Sequence, residues 1–311
     1  MQAAHPELVS VIIPYYQGEK WLPLSLASVL GQEGVTLEVI VVDDGSDRPV
    51  DDRLPALADL RVQVLRLPHG GKGAAVNAGV RMAGGDLVCV LDQDDEMLPG
   101  RLAVQAAALR GNPGVDAVYS DYERRDERGE LIDVFKSRQA GREEMLHCLA
   151  TSTGLFSMQT LLIRKQTFDA VGGLCTDDRI TGFDDAEFFV RLLAAGCRFQ
   201  HVPGVFARWN SHPSNYSKSA RFQDARLFWI DRLTALATEH GVLRRELPFF
   251  KAHNYLMRGI FFLQTDRPGK ATTEFVKAIQ ADRSQVNSYY LLAKSAVWSL
   301  LAPLRRRRRL P

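Results

Sequence analysis

The sequence is poor in cysteine and has no cysteine pair at metal-binding spacing. Its four cysteines, Cys89, Cys148, Cys175 and Cys197, form no C-x-x-C. That argues against a disulfide framework and reads as reduced, mostly structural thiols in a reducing compartment. No apolar run reaches the ~20 residues needed to cross a bilayer. Met1 to Leu8 has no basic segment followed by an apolar one, so no signal peptide is expected and the chain is placed in the cytoplasm. The net charge is only +2, which gives no reason to expect a nucleic-acid partner. Neither a Walker A sequence nor G-x-G-x-x-G occurs in the one glycine-lysine loop, which excludes a P-loop or dinucleotide fingerprint there.

What remains is an ordinary globular composition, 46% hydrophobic and 24% charged over 311 residues. That is enough for one large domain or two smaller ones. Apolar runs at Val9–Ile13, Leu37–Val42, Val62–Leu67 and Leu87–Leu91 are short enough for buried strands. Helical segments are expected between them at Trp21–Leu30, Pro49–Leu60 and Ala74–Ala83. The alternation predicts an α/β fold, a Rossmann-like, mostly parallel sheet with helices on both faces. Further helices are expected at Pro99–Leu109 and Arg142–Ala150, strands at Val115–Tyr122, Gln159–Arg164 and Cys197–Val202, and an exposed hairpin or loop at Glu123–Glu130.

Three features fall at the carboxyl ends of these strands, where an open parallel sheet collects its ligands. The second strand ends in Asp43-Asp44-Gly-Ser-Asp47. The third leads into His69-Gly-Gly-Lys-Gly73, and the fourth ends in Asp92-Gln-Asp-Asp95. Close carboxylates repel one another, and a hard divalent cation, magnesium or manganese, is the simplest remedy. Such a cation in turn calls for an anionic partner, most often phosphate. Asp44 suits a base N–H or a ribose hydroxyl, and Lys72 brings a cation and free backbone N–H groups to an anion. Each stretch also has a plain reading as turn chemistry.

Further on, Asp184 and Glu187 have capping-box spacing ahead of the apolar stripe Phe188, Phe189, Leu192 and Leu193. Asp185 lies one turn before that stripe and is a candidate general base, although service to the helix dipole accounts for both acids. Arg208 and His212 lie in an expected polar loop, either within reach of phosphate or simply on the surface.

Taken in order, Val9-Ser-Val-Ile-Ile-Pro-Tyr-Tyr16, Val41-Val-Asp-Asp-Gly-Ser46, Gly71-Lys-Gly-Ala-Ala-Val-Asn-Ala-Gly79, Leu91-Asp-Gln-Asp-Asp95 and Gly182-Phe-Asp-Asp-Ala-Glu-Phe188 resemble glycosyltransferase family 2 and its GT-A fold. The resemblance covers roughly Val9 to Ser217. It implies an inverting, metal-dependent transfer from a nucleotide-sugar, usually a UDP-sugar, to a saccharide or lipid-linked acceptor in cell-envelope glycan synthesis. It further implies that Asp44 contacts the base, Pro14 and Tyr16 lie against the nucleotide, Asp92 and Asp94 serve ribose and metal, and Asp185 is the catalytic base. Arg208 completes the expected donor site, and His212 joins Asp92 and Asp94 as a metal ligand. Two departures stand out. Val76 occupies the place of an arginine in the family's Ala-Arg-Asn, with Lys72 as the substitute. Val205 replaces the glutamine of the processive Gln-x-x-Arg-Trp, which implies one sugar per encounter.

Two other classes fit parts of the pattern. A sugar-nucleotide nucleotidyltransferase would share sheet and metal but should open on a glycine-rich loop. A non-catalytic helical-repeat scaffold would have no use for Asp44, Asp94 and Asp185 together. The expected domains are residues 1–218, the GT-A domain, and 219–311, a helical extension. Within the extension, helices are expected at Phe222–His240, Leu243–Gln264 and Lys270–Ala281, the last resembling one helix of a tetratricopeptide repeat. The apolar stretch Tyr289–Leu304 and the basic run Arg305–Arg309 suit a helix lying on an anionic membrane, peripheral on its inner face, or else a core helix with a basic tail.

Overall fold

β1 (Leu8–Tyr15) and β2 (Thr36–Asp43) have no exposed side along most of their length: Val9 to Ile13 and Val39 to Val42 are all fully buried. Strands like these need cover on both faces. α1 (Leu22–Leu30) packs on the Val9, Val11 and Ile13 side. β3 (Val62–Arg66) follows, and then α2 (Gly71–Met82) covers the other side, where Gly79 admits Ile12 and Val42 against the helix backbone. The structure, a computed structural model, describes residues 8–50, 54–151, 155–284, 289–292 and 294–295.

β4 (Leu87–Val90) and the short β5 (Glu96–Met97) precede α3 (Arg101–Gly111). Next come β6 (Ala117–Asp126), β7 (Leu131–Phe135), α4 (Arg142–Thr151), β8 (Leu162–Arg164), α5 (Lys165–Ala170), α6 (Asp184–Ala194) and β9 (Phe199–Ser211). The sheet order is β3-β2-β1-β4-β8-β6-β9-β5, with β7 paired to β6. The β3-β2-β1-β4 half is parallel, as the alternation predicts. β2 and β3 lie on one side of β1 and β4 on the other, so the order reverses beside β1. The carboxyl ends there form the crevice where ligands gather in such sheets. β8 then runs antiparallel to both neighbours, and β6 and β9 pair in parallel over most of their length.

Several local expectations need correction. β9 continues through Arg208 and Asn210 to Ser211, so that segment is strand and not polar loop; parallel pairing with β6 supplies the hydrogen bonds that the polar composition hides. Of the two readings of Glu123–Glu130, hairpin or loop, the hairpin holds: Glu123 to Asp126 belongs to β6, and a turn closed on the Asp126 carboxylate by the Arg128 and Glu130 N–H groups leads into the antiparallel β7. α2 begins at Gly71 rather than Ala74, because Asp44 caps its start. Within Gln159–Arg164 only Leu162–Arg164 is strand. Met158–Thr160 is a 3-10 turn, and the side chains of Gln105 and Arg101 bond the Thr160 and Leu161 carbonyls. The described part of Pro49–Leu60 holds one 3-10 turn, Pro55–Ala58. Residues 51–53 of that predicted helix and 152–154 of a predicted polar loop lie outside the described residues.

Two compact units can be told apart: Met1–Met145 with Gly154–Lys218, and Leu146–Thr153 with Ser219–Pro311. The second holds α7 (Ala220–His240), α8 (Leu247–Gln264) and α9 (Pro268–Ala281). Trp229 meets Phe250 edge-on at 5.6 Å, and Gly259 lets the Phe275 ring lie against α8. The Arg305–Arg309 run and most of Tyr289–Leu304 lie outside the described residues. Among the described residues, no helix is long and apolar enough to cross a membrane.

Candidate active site

The first acids past β2 are held by backbone. Asp43 accepts from the N–H groups of Ser46 at 2.9 Å and Val50 at 3.3 Å. Asp44, 3% exposed, reaches across to the start of α2 and accepts from Gly70 N–H at 2.8 Å and Gly71 N–H at 2.9 Å. These are two of the donors that a helix start leaves without partners. Gly45 between them has φ +75°, and a side chain there would strike the His69 backbone. His69 in turn places Nδ1 2.9 Å from Asp44 Oδ2 and stacks on Tyr16 with ring centres 4.4 Å apart. Tyr16 follows β1 directly. Gln93 exchanges hydrogen bonds with its backbone N–H and C=O at 2.9 and 3.1 Å. Pro14, within β1, lies opposite Val42 of β2.

The second group surrounds one lysine in the first turn of α2. Lys72 Nζ lies 2.8 Å from Asp92 Oδ1, 3.0 Å from Asp92 Oδ2 and 3.7 Å from Asp184 Oδ2. Burial works against its charge, but Asp92, Asp184 and Asp185 outweigh it and hold the ammonium above its ordinary range. α2 approaches closely here because Gly73 leaves room for the Cys175 carbonyl, only 2.1 Å from where a Cβ would stand. Asn77, one turn on, bonds both the N–H and C=O of Leu174 at 2.8 Å, fixing the chain that leads toward α6.

α6 does not start on a capping box. Phe183 is the N-cap residue, and the fully buried Glu187 is an ion-pair partner of Arg191. Arg191 also donates to the carbonyls of Val171 and Gly173. Asp184 is therefore released from the capping role: its Oδ1 accepts from Gly182 N–H at 2.9 Å, while its buried Oδ2 has no hydrogen-bond partner and faces Lys72. Among the described residues, Asp185 accepts only from the next N–H, that of Ala186, at 2.7 Å. Burial and the Asp184 charge push its carboxyl up to about 6, and Lys72 opposes them.

The third group surrounds Asp94. His212 Nε2 lies 2.9 Å from Asp94 Oδ2, and Asn215 donates to the same oxygen at 3.4 Å. The imidazole is oriented by Ser214 Oγ, 2.8 Å from Nδ1, and by stacking on Trp21. Burial and the Asp92 charge raise the Asp94 carboxyl above its usual range. Asp95, buried and accepting from Asn210 N–H at 3.1 Å, is raised well above it for the same reasons. Among the described residues no three His, Cys, Asp or Glu side chains converge on a metal position. Asp92 is turned toward Lys72, so the predicted trio reduces to Asp94 and His212. The pair still fits a hard divalent cation: a carboxylate and an imidazole sit side by side, the ring is oriented through its other nitrogen, and most positions stay open for water and phosphate oxygens.

Arg208 is the one predicted donor residue placed elsewhere. Its guanidinium is held by Glu123 at 2.7 Å and Glu96 at 3.1 Å. Strand pairing aligns Glu96 and Glu123 with it. Glu96 and Arg208 line a cleft of about 250 Å³ together with His212 and Trp21. Sequence reasoning missed Glu96, Glu123, Gln93, His69 and Asn215. Two of these carried a signal: Gln93, between the two aspartates of Asp92-Gln-Asp94, and His69, at the head of the loop His69-Gly-Gly-Lys-Gly73.

Known proteins resemble this chain in family and in fold. The model of the family described as Glycosyl transferase family 2 matches residues 10–172. An uncharacterized glycosyltransferase of Rickettsia felis is 24% identical over 277 residues, 88% of this chain but only 45% of its own length. The chain thus spans about half of that relative. Succinoglycan biosynthesis protein ExoW of Rhizobium meliloti is 42% identical over 100 residues, 30% of this chain and 31% of ExoW. Among solved structures, S. aureus TarS 1-349 in complex with UDP-GlcNAc superposes with a TM-score of 0.62 at 18% identity, over 96% of this chain and 91% of that one. The mannosyltransferase PcManGT of Pyrobaculum calidifontis, in complex with GDP-Man and Mn2+, gives 0.58 at 20%, over 97% and 83%. The fold is the GT-A fold of these glycosyltransferases, and with the family model matching residues 10–172, just over half of the 311 residues, the chain belongs to glycosyl transferase family 2.

Proposed function

We propose that the first unit moves a sugar from a UDP-sugar to an acceptor hydroxyl by one inverting displacement, assisted by a divalent cation. The observation that carries this reading is the gathering of Asp92, Asp184 and Asp185 around Lys72, two residues along from the backbone that Asp44 caps. TarS and PcManGT, which share the fold, are known in complexes with UDP-GlcNAc and with GDP-Man and Mn2+. Asp44 and Tyr16 take the base, with Pro14 beside them, and Asp92 takes the ribose. Lys72 supplies positive charge to the diphosphate. Asp94 and His212 would hold manganese or magnesium, which when bound neutralises charge on the departing diphosphate.

Asp185 receives the proton of the acceptor hydroxyl. A carboxyl pushed up to about 6 is a stronger base than an ordinary aspartate yet is still ionised at neutral pH. Its oxygens have a single backbone donor, which leaves acceptor capacity for a substrate. Attack from the face opposite the leaving diphosphate inverts the anomeric carbon. Arg208 has no part in donor binding in this reading, because its two carboxylate partners neutralise it. The likeness to a succinoglycan biosynthesis protein supports a cell-envelope polysaccharide or glycolipid acceptor, saccharide or lipid-linked. As sequence, the Arg305–Arg309 run supports a peripheral position on the inner, anionic face of the membrane.

Thermal unfolding against a panel of nucleotide sugars with manganese tests the reading. UDP-sugars should raise the midpoint, and chelator should remove the gain, as expected for a ligand that binds only the folded state. A midpoint indifferent to every nucleotide sugar would overturn it.

A further inference from the structure

The proposed base site is filled by the chain itself. His69 stacks on Tyr16 with centroids 4.4 Å apart and planes 22° from parallel. In the same position its Nδ1 lies 2.9 Å from Asp44 Oδ2 and 3.0 Å from the Asp44 carbonyl. Both partners only accept, so Nδ1 carries the proton. A flat ring thus lays one face on a tyrosine and offers an in-plane N–H to a buried carboxylate. A pyrimidine with a ring N–H would make the same two contacts. We infer that His69 is an intramolecular stand-in for the nucleotide base, and that its ring must leave before the donor base can bind. This inference rests on the donor-site reading of Asp44 and Tyr16.

Counting acceptors shows why the two rings compete. Asp44 Oδ2 already accepts from Gly71 N–H and His69 Nδ1, and Oδ1 accepts from Gly70 N–H. A carboxylate has about four acceptor positions, so a base N–H directed at Oδ2 has no place while the imidazole stays. The Tyr16 face beneath His69 is also covered. The ring, however, is free to go. The backbone around it is fixed without the side chain, through the Gly70 and Gly71 N–H bonds and the close approach of Gly45 to the His69 N–H. The His69 side chain is 52% exposed, so rotation about its Cα–Cβ bond carries it into solvent. An occupied site lowers apparent affinity by the fraction of molecules in which it is open. His69 therefore weakens donor binding and selects for bases able to replace both of its contacts.

The test is calorimetric titration of UDP, and of GDP in parallel, into the full chain and His69→Ala with manganese present. UDP should bind His69→Ala more tightly, by roughly 3- to 10-fold if the ring occupies the site most of the time. In the wild type, the His69 Cε1–H resonance should lose its ring-current shift when UDP is added. Equal or weaker UDP binding by a folded His69→Ala would overturn the inference, as would a His69 resonance that keeps its shift in the UDP complex. If His69→Ala does not fold, the wild-type resonance decides alone. Failure of both proteins to bind either nucleotide would overturn the donor-site reading, and the inference with it.

Discussion

The acids after β2 and those after β4 look alike in sequence and behave differently in the fold. Asp43 and Asp44 are buried, and each has both carboxylate oxygens engaged by backbone N–H groups. Past β4 and at the start of α6 the acids lean on distant side chains instead: Asp92 and Asp184 share Lys72, whose charge also acts on Asp185, and Asp94 faces His212 and Asn215. Burial and mutual repulsion raise the carboxyls of Asp94, Asp95 and Asp185. A charge bonded to backbone is stable where it stands and shapes a loop. A charge crowded by others is unstable until a cation, a proton or a substrate arrives. The first group is scaffold and recognition, and the second is where chemistry can be done.

The largest effect expected from this contrast is on turnover. Asp185→Asn should lower kcat by about 10²- to 10⁴-fold, the usual share of a general base, with UDP affinity nearly unchanged in calorimetry. Near-normal turnover would break the contrast at its chemical end. Next, Asp44→Ala should destabilise the chain by about 1–3 kcal/mol, because two half-buried N–H groups lose their acceptor; denaturant melts would show it. No loss there would mean that the backbone bonds at β2 are replaceable by water.

Smaller effects concern pH. The wild-type kcat/KM should fall as pH drops below about 6, where Asp185 takes up a proton. Lys72→Met should move that acid limb upward, because the lysine charge holds the Asp185 carboxyl down. A limb that stays put would sever the proposed coupling. Finally, Asp185→Asn should melt higher than wild type at pH 8. A carboxyl raised from 3.8 to about 6 favours the fold when protonated and loses that contribution as pH rises through 6. The gap should therefore close as pH falls from about 6 toward 3.8.

Local pattern made much of this legible. Strand runs, glycine breaks and acidic strand ends marked β1, β2, β3 and β4, and with them Asp44, Lys72, Asp92 and Asp94. Pattern misled where partners come from afar. Asp184 and Glu187 have capping-box spacing, yet Glu187 serves Arg191, which ties α6 to the turn at Val171–Gly173. Arg208 lay in a stretch polar enough for a loop, but β6 makes it strand and Glu96 and Glu123 neutralise it.

Local pattern was enough to place the four strands of the parallel half in order, with α1 and α2 between them, the side of the sheet where charge collects, and the acids at strand ends. These follow from hydrophobic period and turn residues, which act over a few neighbours. Folding alone settles which acid is bonded to backbone, which shares Lys72, which meets His212, and that His69 lies on Tyr16. Those outcomes depend on donors brought from tens of residues away, and a carboxylate's chemistry is set by the groups that surround it rather than by its neighbours in the chain.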